Sequence, residues 1–100
     1  MSAGGQWWLA TIGRTVVWAR LRELEGGTAE VFDSDGNTLP YDSEDSARAA
    51  LMDAEFVVLE GMDEEDARAR GLSLEELQPP QAGDDAQLRP LMVQKLPARG

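Results

Sequence analysis

The stretch WWLATIGRTVVWARLR, residues 7–22, decides the fold. Trp7 to Ile12 is rich in aromatic and β-branched residues and reads as a strand. Gly13-Arg14 turns the chain, and Thr15 to Leu24 reads as a second strand. Side chains alternate across a strand, so Val17, Ala19 and Leu21 fall on one face and Val16, Trp18, Arg20 and Arg22 on the other. Gly26-Gly27 is a turn signal, and Thr28 to Asp33 forms a third strand, with Ala29 and Val31 opposite Glu30 and Phe32. Asp35-Gly36 is a strong hairpin signal, because a type I′ turn needs positive φ at both central residues. Asn37 to Tyr41 follows as a short fourth strand. Pro40 has no N–H to donate, which places this strand at a sheet edge.

Beyond the strands the pattern becomes helical. Ser43 can cap a helix, with Asp42 as the alternative cap, and Glu44 and Asp45 then sit in the first turn, where the helix dipole favours acids. Ala47, Ala50, Leu51 and Ala54 recur at helical spacing, so the main helix spans 43–54. Phe56 to Leu59 reads as an extended run, with continuation of the helix through 55–60 as the alternative, because nothing breaks it before Gly61. Asp63 to Arg70 is a short helix with acids first, arginines last and Gly71 after it. Ser73 and Glu76 form a capping box around a further turn, stopped by Pro79-Pro80. Residues 81–87 read as a linker and 88–100 as a tail, with Leu88 to Leu96 apolar enough to dock as a late strand. The expectation is a single α+β domain over 1–80. It has a three- to four-stranded antiparallel sheet over 7–41, the main helix on one face, and the short acidic helices over an edge or end.

Composition excludes several chemistries. The 100 residues contain neither cysteine nor histidine. A disulfide framework, a zinc–thiolate site and any triad that needs imidazole are therefore ruled out. The longest apolar runs are about four residues, against the roughly twenty of a spanning helix. The N-terminus lacks the basic region of a signal peptide, so a cytoplasmic location is expected.

Charge is unevenly spread. The net charge is -10, and residues 25–87 carry eighteen acids against Arg48, Arg68 and Arg70. That middle repels nucleic acid and anionic membranes. Solubility is the plain explanation for such acidity. A docking surface for a basic partner is the functional one.

Four constellations could carry function. Trp7, Trp18, Arg20 and Arg22 interleave aromatics with cations, as on a nucleic-acid-binding sheet. The surrounding acids oppose that partner, and a tryptophan packed in the core explains the pattern equally well. Asp63, Glu64, Glu65 and Asp66 concentrate negative potential in one helical turn. Asp33, Asp35, Asn37 and Glu44 stand at positions 1, 3, 5 and 12 of a calcium-loop spacing. Thr38 replaces the glycine needed at position 6, and no helix precedes the loop. An Asp-Gly hairpin followed by a helix cap explains the same residues. Paired carboxylates could serve a small enzyme, but a chain this short has little room for a cleft. Ala29 to Leu51 resembles the strand–strand–helix units of small bacterial proteins, a generic pattern that implies no activity.

The leading expectation is a non-enzymatic protein–protein interaction module without cofactor, contacting an unidentified protein through the tryptophan hairpin or the acidic helix. It would be a monomer or weak homodimer. Alternatives are a calcium-binding module, a carboxylate-based enzyme and a nucleic-acid mimic.

Overall fold

The apolar alternation of the second strand runs on both of its faces, so both need cover. The computed structural model describes residues 5–97, and residues 1–4 and 98–100 lie outside it. Strands β1 (Gln6–Ile12), β2 (Thr15–Glu23), β3 (Ala29–Phe32) and β4 (Thr38–Tyr41) form a continuous antiparallel meander. Two further strands, β5 (Val57–Val58) and β6 (Val93–Lys95), enlarge the sheet to six. The path runs β4-β3-β2-β1-β5, and β6 pairs with β2 beside β3. The architecture is α+β. β4 is an edge strand, where the missing N–H of Pro40 costs nothing.

On the first face Leu9, Val16, Trp18 and Phe32 form a core with Ala67, Leu72, Leu77, Leu88 and Met92. On the second face Trp8, Ala19, Leu21, Ala29 and Val31 pack against Ala47 and Leu51 of helix α1 (Glu44–Asp53). Fully burying each large side chain contributes about 1.5–3 kcal/mol. Helix α2 (Glu64–Ala69) delivers Ala67 to the first core. The acidic helix thus covers a sheet face rather than an edge or end, because Val16 and Trp18 would otherwise lie bare.

The C-terminal segment docks through the late strand that Leu88 to Leu96 allowed, and a short helix stands where part of the linker and tail was expected. Asp84 caps a short helix, α3 (Asp85–Leu88), its side chain accepting the Gln87 N–H at 2.8 Å. A 3-10 turn over Arg89–Leu91 leads into β6. Leu88 and Met92 are both buried in the first core. β2 is nine residues long. One of its edges therefore pairs with β3 over Arg20–Glu23 and with β6 over Thr15–Val17. The exposed polar residues of 81–87 hide this docking from composition alone.

Helix ends set the direction of the chain. Ser43 caps α1, its hydroxyl accepting the Ser46 N–H at 3.1 Å. At the other end the Glu55 N–H donates to the Met52 carbonyl and the Phe56 N–H to the Leu51 carbonyl, both at 2.9 Å. Helix α2 ends the same way, with Gly71 donating to Arg68 and Leu72 to Ala67. Both are Schellman turns, whose pivot residue takes positive φ. The α2 pivot is Gly71 at 77°, and the α1 pivot is Glu55 at 69°. A side chain there costs roughly 1–2 kcal/mol in backbone strain. Glu55→Gly should therefore stabilise the fold by about 0.5–1 kcal/mol, net of the extra freedom glycine gives the unfolded chain. A thermal melt checks this: the midpoint should rise by a few degrees. A fall would contradict the assigned pivot.

Candidate functional site

The tryptophan hairpin is an internal structure. Trp18 is 0% exposed, and its Nε1–H donates to the Gln94 side-chain oxygen at 2.9 Å. Trp7 packs edge-on against it, with centroids 5.9 Å apart and planes at 84°. Arg20 is buried at 9% exposure, lies 5.2 Å over the Phe32 ring, and pairs with Asp85 at 3.1 Å. Its Nε has no hydrogen-bond partner. Arg22 pairs with Glu30 at 3.6 Å. Trp18 and Arg20 therefore present no exposed stacking surface and anchor the C-terminal segment to the sheet, while Trp7 packs on Trp18 and the partly exposed Arg22 ties β2 to β3.

The acids of α2 have mostly local tasks. Asp63 accepts the Asp66 N–H at 2.8 Å, and Asp66 accepts the Asp63 N–H in return, a reciprocal cap. Glu64 accepts the Leu74 N–H at 3.1 Å and pairs with Arg68 at 3.8 Å. Glu65 is exposed.

The calcium spacing folds as a hairpin. Asp33 Oδ1 accepts the N–H groups of Asp35 and Asn37, at 3.0 and 2.9 Å. Glu44 pairs with Arg48 at 3.8 Å. Among the described residues no group of three or more acids is gathered in a way that could hold a metal ion. Nor is any helix there long and apolar enough to cross a membrane.

An open groove lies where the sequence pointed to nothing. On the second face Ala10 pairs with Val17 and Ile12 with Thr15, one step beyond the row of Trp8 and Ala19. Helix α1 ends before it reaches them. The groove has a volume of about 790 Å³ and is lined by Ile12, Val17, Met52, Glu55, Phe56 and Arg70, among others. Ile12 is 76% exposed and Met52 56%. A second cavity of about 500 Å³ continues it past β5, between Glu60, Met62, Asp66 and Arg70. Val57 and Arg70 line both.

The opposite side of the hairpin tip is held firmly. Arg14 donates to the carbonyls of Pro97 at 3.0 Å and Gly71 at 2.7 Å, and pairs with Glu76. The groove wall is therefore braced from behind. Lengths carried the missed signal: a ten-residue helix is about 15 Å long, whereas a nine-residue strand spans about 30 Å.

Charge around the molecule remains lopsided. Five arginines form ion pairs with five carboxylates. That leaves fourteen of the nineteen acids without an ion-pair partner among the described residues, Glu55 and Glu60 included. Comparison of the chain with protein-family models, curated proteins and solved structures gives no match.

Proposed function

We propose that this protein is a non-enzymatic interaction module of the cytoplasm, and that it holds a protein partner in the groove between α1 and the β1–β2 turn. The observation that carries this reading is the exposure of Ile12 and Met52 in one groove. Contiguous exposed apolar surface on a small protein marks an interaction site. The unpaired carboxylates would steer a basic surface towards it and speed encounter, with strong dependence on salt. Of the acidic helix, Asp66 borders the neighbouring cavity, while Glu65 acts at a distance.

Pull-down from lysate with the immobilised full chain tests the reading. Ile12→Asp with Met52→Asp should lose the proteins captured at 50 mM salt. Both positions are exposed, so the thermal midpoint should hold. Glu65→Lys should leave those partners in place but slow their capture. If the groove variant captures the same proteins as the parent, the groove is not the interaction surface.

A further inference from the structure

Among the described residues the sheet has three outer strands, β4 and β5 at opposite ends and β6 beside β3, and they differ in how their edges are guarded. Exposed edges template pairing with other chains, and proline or lysine at an edge suppresses it. β4 carries Pro40 and β6 carries Lys95. β5 carries only Val57 and Val58.

The register shows what β5 offers. Leu59 donates its N–H to the Trp7 carbonyl at 2.9 Å, and Trp8 stands opposite Val58, with Leu9 opposite Val57. Hydrogen-bonded and non-hydrogen-bonded pairs alternate along an antiparallel ladder. Trp7–Leu59 and Leu9–Val57 are then bonded pairs, and Trp8–Val58 is not. The N–H and C=O of Val58 consequently point away from β1, and Val58 lines the second cavity. The two cavities lie on either side of this edge and meet at Val57.

We propose that β5 receives an extended segment of a partner protein, in which apolar residues alternate with lysine or arginine, as an added strand. This rests on the interaction reading above and names its ligand. Strand addition takes affinity from main-chain hydrogen bonds and specificity from pockets for alternate side chains. Here alternate apolar side chains would enter the groove against Ile12, Met52 and Phe56. Glu55, Glu60 and Asp66 line the two cavities against a single cation, Arg70. Basic side chains on the added strand complement that rim. A second copy of this chain fits poorly, because joining at β5 would bring the same carboxylates of two chains of charge -10 together.

Selection of random twelve-residue peptides displayed against the full chain at 50 mM salt tests the proposal, followed by anisotropy titration of the synthetic winners. Enriched peptides should alternate apolar and basic residues. Their affinity should fall at least tenfold with Ile12→Asp, with Glu55→Lys, and between 50 and 500 mM salt. N-methylation of the one peptide amide that meets the Val58 carbonyl should weaken binding tenfold, while methylation of the amides on either side of it should not. Acidic or uncharged winners, or winners insensitive to amide methylation, would overturn strand addition. Winners that ignore Ile12→Asp would move the site elsewhere and leave the interaction module intact. If no peptide is enriched and lysate capture does not respond to the groove variant, both readings fail. Sedimentation showing a dimer that Ile12→Asp abolishes would give the groove to a second copy and overturn the proposal.

Discussion

Ending the chain at Pro80 should abolish cooperative unfolding altogether. That truncation removes Leu88 and Met92, both buried in the first core. Losing large apolar side chains from a core costs about 2–5 kcal/mol each. It also removes Asp85, the ion-pair partner of buried Arg20, and the Gln94 oxygen that accepts from the buried Trp18 indole. A buried polar group left without its partner costs a further 1–3 kcal/mol or so, more for a charge. The Trp18 N–H loses the Met92 carbonyl as well. Together these losses are of the same order as the whole 5–15 kcal/mol or so that usually separates folded from unfolded chains. Circular dichroism during a urea titration should show no sigmoidal transition. A truncated chain that still melts sharply would mean that the sheet and α1 fold without the C-terminal segment.

How much of this was legible beforehand depended on whether the deciding contact was local. The alternation of Val16–Arg22 assigned both faces of β2 correctly, because period-two patterning needs only neighbouring residues. The turn at Asp35-Gly36 and the cap at Ser43 were readable for the same reason, although the turn is not type I′: Gly36 alone takes positive φ, and its N–H closes on the Asp33 carbonyl. The docking of the C-terminal segment was legible only as an option, a late strand within Leu88 to Leu96, and its short helix was not. Leu88 follows exposed polar residues and Met92 lies between the exposed apolar Leu91 and Val93, so which side chains are buried depends on Trp18, some seventy positions earlier. The termination of α1 was only half legible: glutamate is a poor marker for a positive-φ pivot, and the glycine that would announce one is missing. Among the site residues, Trp18 and Arg20 looked like a binding surface because an interleaved aromatic–cation pattern suits either a ligand or a core. The groove was missed because it arises from a mismatch of lengths between α1 and β2, which no motif encodes.

Trp18→Ala should cost about 4 kcal/mol. The side chain is wholly buried, and replacing a buried tryptophan by alanine typically costs 3–5 kcal/mol. Loss of the edge-to-face contact with Trp7 adds to this, since such pairs contribute about 0.5–1.5 kcal/mol beyond their area. The Gln94 amide is also left facing a cavity in place of the indole N–H. Urea melts of parent and variant give the difference directly, with the slope unchanged if both remain two-state. A variant of undiminished stability that has lost only partner binding would return Trp18 to the surface, where the sequence pattern also allowed it.

The two cores become complete at different moments of synthesis. The core on the second face draws on nothing beyond Val58. The core on the first face waits for Leu72, Leu77, Leu88 and Met92, and the strand that follows them. At about 5–20 residues per second, a nascent chain spends a few seconds with one side of its sheet finished and the other bare. During that interval the indole of Trp18 and the Thr15–Val17 edge of β2 stay open to any neighbour able to pair with them. The acids of residues 63–66 and 75–76 emerge within the same interval. Charge repulsion between nascent chains on one message would then protect the half-built sheet until β6 closes over it.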